Sequence, residues 1–560
     1  MDKKKFINLL CFIILAVVTV WLRYLYLNTD LWYDEACSWF TAKQSFPFGI
    51  EDNLSSLDLQ HTPLYFYMLH FWMKMFGDSE IAMRILSLIF GLASVPMVYL
   101  TAKKIANKQV ALFATALTAV SPLMTIFSVE IRMYPVVIFW VLLSLNYLID
   151  FEQKKDNKSL VKLVIANLLI PYTLVGGILY NVSLAACYLI YLLLNKSSVI
   201  KKYLVALSVE LLCLIPYFIK IAYYAKMRDL FVVSHEGHLK FFHVVDVIRN
   251  FFGVNIATNI YWPEEMPYDL TILFAISVIV PCVYFVYGLV QGCKNSDKFL
   301  RTLYCIFFIS FGLSVLFSLL EVNVFTSRYI LYLLPPFFIL SVLGLSKMLT
   351  AKHWQSFLTV YLIIVTIFNV YFSKNFDNLK TRAFKSVKIE ADKLELDAND
   401  IVIMPFGSDA PYYFRSLSSP RVFEFDFHKE IRNPNNEKYY DEKQQQNMFG
   451  SRAARVVYTA VMSDRVFSDA YFEYFLKNIN YTVPSGRYVL MALYSSDASL
   501  LIDIQDLRKS IKDEHSVQKQ ISNVMFAKYL YDTRAMLMFD FDLLKTYTYN
   551  NYTFLLFRKR

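Results

Sequence analysis

Charge is what this sequence is shortest of. Only 18% of its 560 residues are Asp, Glu, Lys or Arg, while 56% are hydrophobic and 17% aromatic. Water-soluble domains carry about 25% charged residues, and the shortage here is concentrated in the first two thirds of the chain. A soluble protein cannot cover that much apolar side chain, so membrane is the solvent for most of the sequence.

Other absences narrow the class further. The seven cysteines (Cys11, Cys37, Cys187, Cys213, Cys282, Cys293 and Cys305) include none beyond Cys305, so the long C-terminal region has no disulfide. No CxxC pair is present, which removes the signature of a structural zinc or redox site. The formal net charge of +10 has no basic face interleaved with aromatics, and nucleic-acid binding is excluded on that ground. Much of the Lys sits in short clusters between hydrophobic runs. There is no internal repeat or low-complexity tract. The N-terminus also lacks the short core and small-residue cleavage site of a signal peptide. After Lys3-Lys4-Lys5 it runs apolar from Phe6 to Leu27, about 20 residues, enough to cross ~30 Å of hydrocarbon. Trp21, Arg23, Tyr24 and Tyr26 mark its interfacial end, and it reads as an uncleaved first helix.

Further hydrophobic spans follow at 82–101, 110–128, 134–150, 160–176, 177–194, 203–224, 269–290, 299–320, 328–347 and 354–373, making about 11 in all, each near the length a bilayer requires. Gly176-Gly177 is the hinge that divides 160–194. If Lys3 to Lys5 are cytoplasmic, alternation collects Lys103-Lys104-Lys108, Lys154-Lys155-Lys158, Lys196-Lys201-Lys202, Lys294-Lys298-Arg301 and Lys347-Lys352 on that side. The opposite side receives Asp34-Glu35, Asp52, Asp58, Glu130, Glu236, Glu264-Glu265 and Glu321. This is the positive-inside distribution of a plasma-membrane protein, with its N-terminus cytoplasmic and its C-terminus extracytoplasmic. Outer loops fall at 28–80 and 225–269. The first contains Pro63 to Phe76, too short to span, which reads as a helix lying on the membrane. The second holds His235, His238 and His243.

Composition changes near Ser373. Residues 1–373 form the membrane domain, and 374–560 form a charged, Tyr-rich extracytoplasmic domain of α/β type with no spanning segment. Ile401 to Pro405 and Tyr488 to Tyr494 read as buried strands. Helical patterns cover Thr381 to Leu396 and Ser468 to Leu476.

Four constellations on the outer side can carry chemistry. Asp34 and Glu35 stand just past the first helix, where a carboxylate can deprotonate an acceptor hydroxyl beside a lipid headgroup. Consecutive helical positions point about 100° apart, so one of the two reaches a reacting centre. The bland alternative is acids favoured by a helix N-terminus. Asp58 and His61 precede Pro63, a residue suited to the first helical turn; they can orient substrate, serve as caps, or supply two ligands toward a metal, and two ligands do not make a site. Glu130, Arg132 and Tyr134 lie between two spans. An Arg at headgroup depth can donate a bidentate fork to a phosphate, or form a local pair with Glu130 and snorkel. Arg328 and Tyr329 open a later span at the same depth, for phosphate or for anchoring.

Those residues carry a resemblance. Asp34-Glu35, then HTPLYFYMLHFWMKMFGDSEIAMRILSLIFGLASVPMVYL from His61, SPLMTIFSVEIRMY ending at Tyr134, and RYILYLLPP from Arg328 resemble the GT-C superfamily of membrane glycosyltransferases. The branch is that of protein O-mannosyltransferases and lipid A aminoarabinose transferases. The likeness runs in order over about residues 1–350 and is specific in the first 135. It implies a polytopic α-helical fold and inverting hexosyl or pentosyl transfer from a polyprenyl-phosphate-linked sugar to an envelope glycan, lipid or protein acceptor. Asp34 would be the catalytic base with Glu35 beside it, and Arg132 and Arg328 would contact the lipid phosphate. Thr62 stands where the family often has a second Pro. No cofactor is certain; a divalent metal is possible but not indicated. The alternative from another class is a transporter or flippase of lipid-linked glycans, which would keep ionisable residues near the midplane. Glu210 is the main residue of that kind. A scaffold presenting the C-terminal domain would leave Asp34, Glu35 and Arg132 unexplained.

Overall fold

The computed structural model describes residues 3–57, 61–228, 244, 247, 250–251, 268–320, 324–379, 385–405, 410–425, 483–494, 537, 540–549 and 552–560. Asp58, His235, His238, His243, Glu236, Glu264, Glu265, Glu321 and the helical pattern at 468–476 lie outside the described residues. The chain divides into two compact units, Met1–Thr29 with Thr41–Leu379, and Asp30–Phe40 with Lys380–Arg560.

The first unit is helical. In chain order the helices are α1 (Lys3–Leu27), α2 (Tyr33–Lys43, assigned through Phe40 to the second unit), α3 (Phe48–Leu57), α4 (Pro63–Phe76), α5 (Glu80–Ile105), α6 (Lys108–Val120), α7 (Pro122–Phe127) and α8 (Tyr134–Lys154). They continue as α9 (Asn157–Thr173), α10 (Ile178–Leu194), α11 (Ile200–Arg228), α12 (Tyr268–Lys294), α13 (Lys298–Leu319), α14 (Leu334–Met348) and α15 (Ala351–Leu379). The apolar runs expected to span are helical apart from breaks at Ser121 and Leu174 and the turn that opens 328–347. Among the described residues, seven helices are long and apolar enough to cross a membrane. Shorter apolar helices are Phe12–Leu27, Lys108–Val120 and Val278–Lys294.

Side-chain caps set several starts. Ser79 accepts from Ala82 N, Asn107 from Val110 N at 3.0 Å, Asp156 from Ser159 N at 2.7 Å and Asp297 from Leu300 N at 2.8 Å. Each satisfies an amide that the helix leaves without a partner. The hinge at Gly176-Gly177 is a single 3-10 turn, Val175–Gly177. Gly288 and Gly292 of α12 meet Gly344 of α14 so closely that a Cβ at Gly344 would collide with the Gly288 carbonyl. This is the small-residue crossing that lets helix backbones approach in lipid.

The run expected as one span at 110–128 is two helices. Pro122 has no N–H to donate, and it drives Ser121 out of helical backbone to φ −58° and ψ 126°. The carbonyls left at the end of α6 are taken by side chains from other helices. Arg23 Nη1 donates to Ala119 O, and Asn369 Nδ2 to Val120 O, each at 3.0 Å. A break at membrane depth survives only where neighbours re-satisfy the backbone in this way. Glu210, expected within a span, is buried in α11 and accepts from Asn167 Nδ2 at 3.0 Å.

In the second unit the described residues include α16 (Lys385–Lys393), α17 (Ala410–Tyr413) and strands β1 (Ile401–Pro405), β2 (Arg421–Phe425), β3 (Tyr488–Tyr494), β4 (Phe541–Tyr549) and β5 (Tyr552–Lys559). The sheet order is β2-β1-β3-β5-β4. The pairs β1–β2 and β1–β3 are parallel, while β3–β5 and β4–β5 are antiparallel. Ile401, Val402, Ile403 and Val489 to Ala492 are fully buried, as continuous apolar strands in the middle of a sheet should be. At the edge, β4 alternates and is mostly exposed.

Candidate functional site

In the first unit the site is built on the turn between α7 and α8. Every residue from Ser128 to Tyr134 is buried. Gly91 of α5 makes room for this turn, since a Cβ there would strike the Ser128 side chain. Two contacts hold the Arg132 backbone: its N–H donates to Glu130 O at 2.7 Å, and its carbonyl accepts from Ser87 Oγ at 3.2 Å. The Ser87 hydroxyl has one proton and spends it on Arg132. The Tyr65 hydroxyl, 3.0 Å from Ser87 Oγ, is therefore the donor in that pair.

The Arg132 guanidinium donates through Nη2 to His61 Nε2. Arginine has no acceptor, so the imidazole Nε2 is the accepting atom of this pair. Pairing of the His61 backbone with Leu174 in an antiparallel bridge fixes the imidazole in turn, and its ring meets Phe66 at 6.2 Å. The Arg132 Cζ lies 5.8 Å from the Tyr134 ring centre. Tyr134 packs on Phe127 at 5.0 Å and reaches Tyr329 at 6.5 Å. The Arg328 Cζ is 5.0 Å from the Tyr329 ring.

His61, Arg132, Tyr134, Tyr329 and Arg328, expected from three separate stretches, thus form one continuous series of contacts, with Glu130 in the same buried turn. Arg328 and Tyr329 do not open a helix as expected. They lie in a turn, followed by the 3-10 segment Leu331–Leu333 before α14. Ser327 Oγ accepts from Asn250 Nδ2 at 3.2 Å, and the Tyr332 hydroxyl donates to Gly176 O at 3.0 Å. Each of the two guanidinium groups is held against an aromatic face, and a guanidinium so placed can donate a bidentate fork to a phosphate. Nearby, α3 and α4 are joined by Tyr67, which donates to Glu51. Burial first, then that carboxylate, pushes the Tyr67 hydroxyl above its ordinary pKa.

In the second unit, Asp34 and Glu35 occupy the first turn of α2, and their environments differ. Glu35 is fully buried, and its Oε2 accepts from Trp32 N at 3.3 Å. An acid at the third helical position reaching back to the residue before the helix is one half of a capping box. Asp34 is half-buried, and its carbonyl accepts from Ser38 Oγ at 2.9 Å. The preceding segment is held by the unit's own residues. Asp30 pairs with Lys385 at 3.0 Å, and Leu31 N donates to the Tyr413 hydroxyl at 2.8 Å.

Among the described residues, no group of three or more His, Cys, Asp or Glu is arranged to hold a metal ion. Sequence reasoning missed Ser87, Asn250, Ser327 and Asn369. Each is a small polar residue in or beside an apolar run, and only that polarity marked it. A small apolar cavity of about 20 Å³ is lined by residues including Leu145, Tyr180, Phe307, Leu333 and Pro336.

Residues 60–222 match the family model described as dolichyl-phosphate-mannose-protein mannosyltransferase. No curated protein sequence matches the chain. Among solved structures, ArnT from Cupriavidus metallidurans in the apo state is similar at 11% identity and TM-score 0.52, with 97% of each chain covered. The same protein bound to undecaprenyl phosphate matches with the same values. At that identity the likeness is one of fold.

Proposed function

We propose that this chain, which has the fold of the GT-C membrane glycosyltransferases, moves a sugar from a polyprenyl-phosphate carrier to an acceptor of the cell envelope. The observation that carries the reading is the pair of guanidinium groups, from stretches far apart in sequence, that share the Tyr134–Tyr329 contact. Arg132 and Arg328 hold the donor phosphate. His61 orients the Arg132 fork, and Glu130, Tyr134 and Tyr329 shape its surroundings. The acceptor hydroxyl attacks the anomeric carbon as the sugar–phosphate C–O bond breaks, Asp34 takes the hydroxyl proton, and the carrier leaves as polyprenyl phosphate. Single displacement inverts the anomeric centre. Glu35 keeps the turn that presents Asp34, and Asp58, just ahead of His61, serves the acceptor side.

A supporting feature is the undecaprenyl phosphate named for the structurally similar ArnT. The Lys clusters favour a cytoplasmic N-terminus in the plasma membrane, and with it an extracytoplasmic C-terminal domain. Residues 1–373 would act as the membrane domain and 374–560 as the outer one.

The test is mass spectrometry of lipid-linked sugars and envelope glycans from a deletion strain carrying wild-type or variant protein. Deletion and Asp34→Asn should both accumulate a polyprenyl-phosphate sugar and lack one envelope modification. Normal modification with Asp34→Asn refutes the base. Arg132→Ala should raise the apparent KM for donor, and an unchanged value removes it as a contact. If the purified protein carries a lipid-linked glycan across vesicles without any transfer, the transporter reading replaces this one.

A further inference from the structure

We propose that residues of the C-terminal region, Tyr413 and Lys385, are positioning residues for the acid at Asp34; this rests on the reading of Asp34 as the base. Asp34 lies only a few residues beyond the end of α1, yet its segment, Asp30–Phe40, belongs to the unit whose remainder begins at Lys380. Asp30 and Leu31 lie in neither helix nor strand, and Trp32 joins α2 only through its carbonyl, which accepts from Glu35 N and Ala36 N, so the path of the segment depends on what holds it.

Four ties do so, all inside that unit. Lys385 Nζ pairs with Asp30 Oδ1 at 3.0 Å. The Tyr413 hydroxyl, from a residue 382 positions later, accepts the Leu31 N–H at 2.8 Å. Glu35 closes the start of α2 on Trp32 N at 3.3 Å. Trp39, one turn beyond Glu35, stands edge-on to Tyr412 at 5.3 Å. Leu31, Glu35 and Trp39 are all buried, so the segment is packed as well as bonded. Among the described residues, α16 and α17 thus give the acid's segment support that is non-local in sequence. A general base must lie within hydrogen-bond reach of the proton it removes, and a displacement of 1 Å can cost about a hundredfold in rate.

The experiment compares Tyr413→Phe, Lys385→Met, Lys385→Arg and Asp34→Asn as full-length purified protein. The donor is lipid-linked sugar extracted from a deletion strain, and the acceptor is that strain's envelope fraction. Tyr413→Phe and Lys385→Met should each lower kcat roughly ten- to a hundredfold while leaving donor KM and Tm unchanged. Lys385→Arg should restore most of the rate. Wild-type kcat in both Tyr413→Phe and Lys385→Met, with Asp34→Asn inactive, overturns the positioning role and leaves the base intact. A loss of kcat matched by a loss of Tm in both variants also overturns it, in favour of a purely structural tie. Full activity of Asp34→Asn removes the base itself, a distinct failure.

Discussion

In the membrane unit several helix ends are closed by side chains that donate to backbone carbonyls, whereas in the second unit several side chains pair with opposite charges. Arg84 of α5 donates to Leu27 O at 3.0 Å and to Thr29 O, closing the end of α1. Arg23 and Asn369 serve the end of α6, and the Tyr304 hydroxyl donates to Leu340 O at 2.8 Å. The second unit instead has Lys385 on Asp30, Lys393 on Glu390, Arg487 on Asp397 and Asp400, and Arg560 on Asp542. The solvent accounts for the difference. In hydrocarbon a carbonyl exposed by a helix end or a proline break has no water to turn to, so a neighbouring helix must supply the donor. In water the same carbonyl is hydrated, and surface charges pair with small net gain.

The contrast can be broken by substitution, and the largest effect is expected at Arg84. Arg84→Met would leave two carbonyls at the end of α1 without their donor, and should cost about 2–4 kcal/mol, read as a lowered Tm in detergent. Wild-type stability would show that water reaches this end and that the cap is dispensable. Asn369→Leu comes next. It removes the donor to Val120 O and to Thr125 Oγ1 and should cost about 1–3 kcal/mol. Faster backbone hydrogen exchange around residues 118–122 would localise the loss, and an unchanged exchange pattern would count against the cap. The smallest effect belongs to the second unit. Arg560→Gln removes an ion pair whose partners are each 59% exposed, so denaturant melts should move by less than about 0.5 kcal/mol, and by nothing in 1 M salt. A larger change would mean that this unit also depends on its charges for folding.

The helices were legible because spanning a bilayer demands long apolar runs, and a run such as 134–150 needs no tertiary information to be seen. The helix Pro63–Phe76 announced itself through Pro63, and the two central strands through their continuous apolar runs. The break at Ser121-Pro122 was less legible, because a proline inside an apolar run can kink a helix or end it. Which one occurs depends on whether donors such as Arg23 and Asn369 stand opposite. The short cap of Glu35 on Trp32 was written locally, as an acid three residues after the helix boundary. By contrast, nothing near Arg132 in sequence points to His61 or Ser87.

The sequence alone determined that this is a membrane chain with a charged C-terminal region, and which residue types lie between its spans, since hydropathy and charge act through composition over short stretches. Only tertiary structure decided that Arg132 meets His61, that Tyr134 meets Tyr329, and that Lys385 and Tyr413 hold the segment bearing Asp34. Those contacts join residues tens to hundreds of positions apart, and such separations are closed by packing rather than by any local preference of the chain.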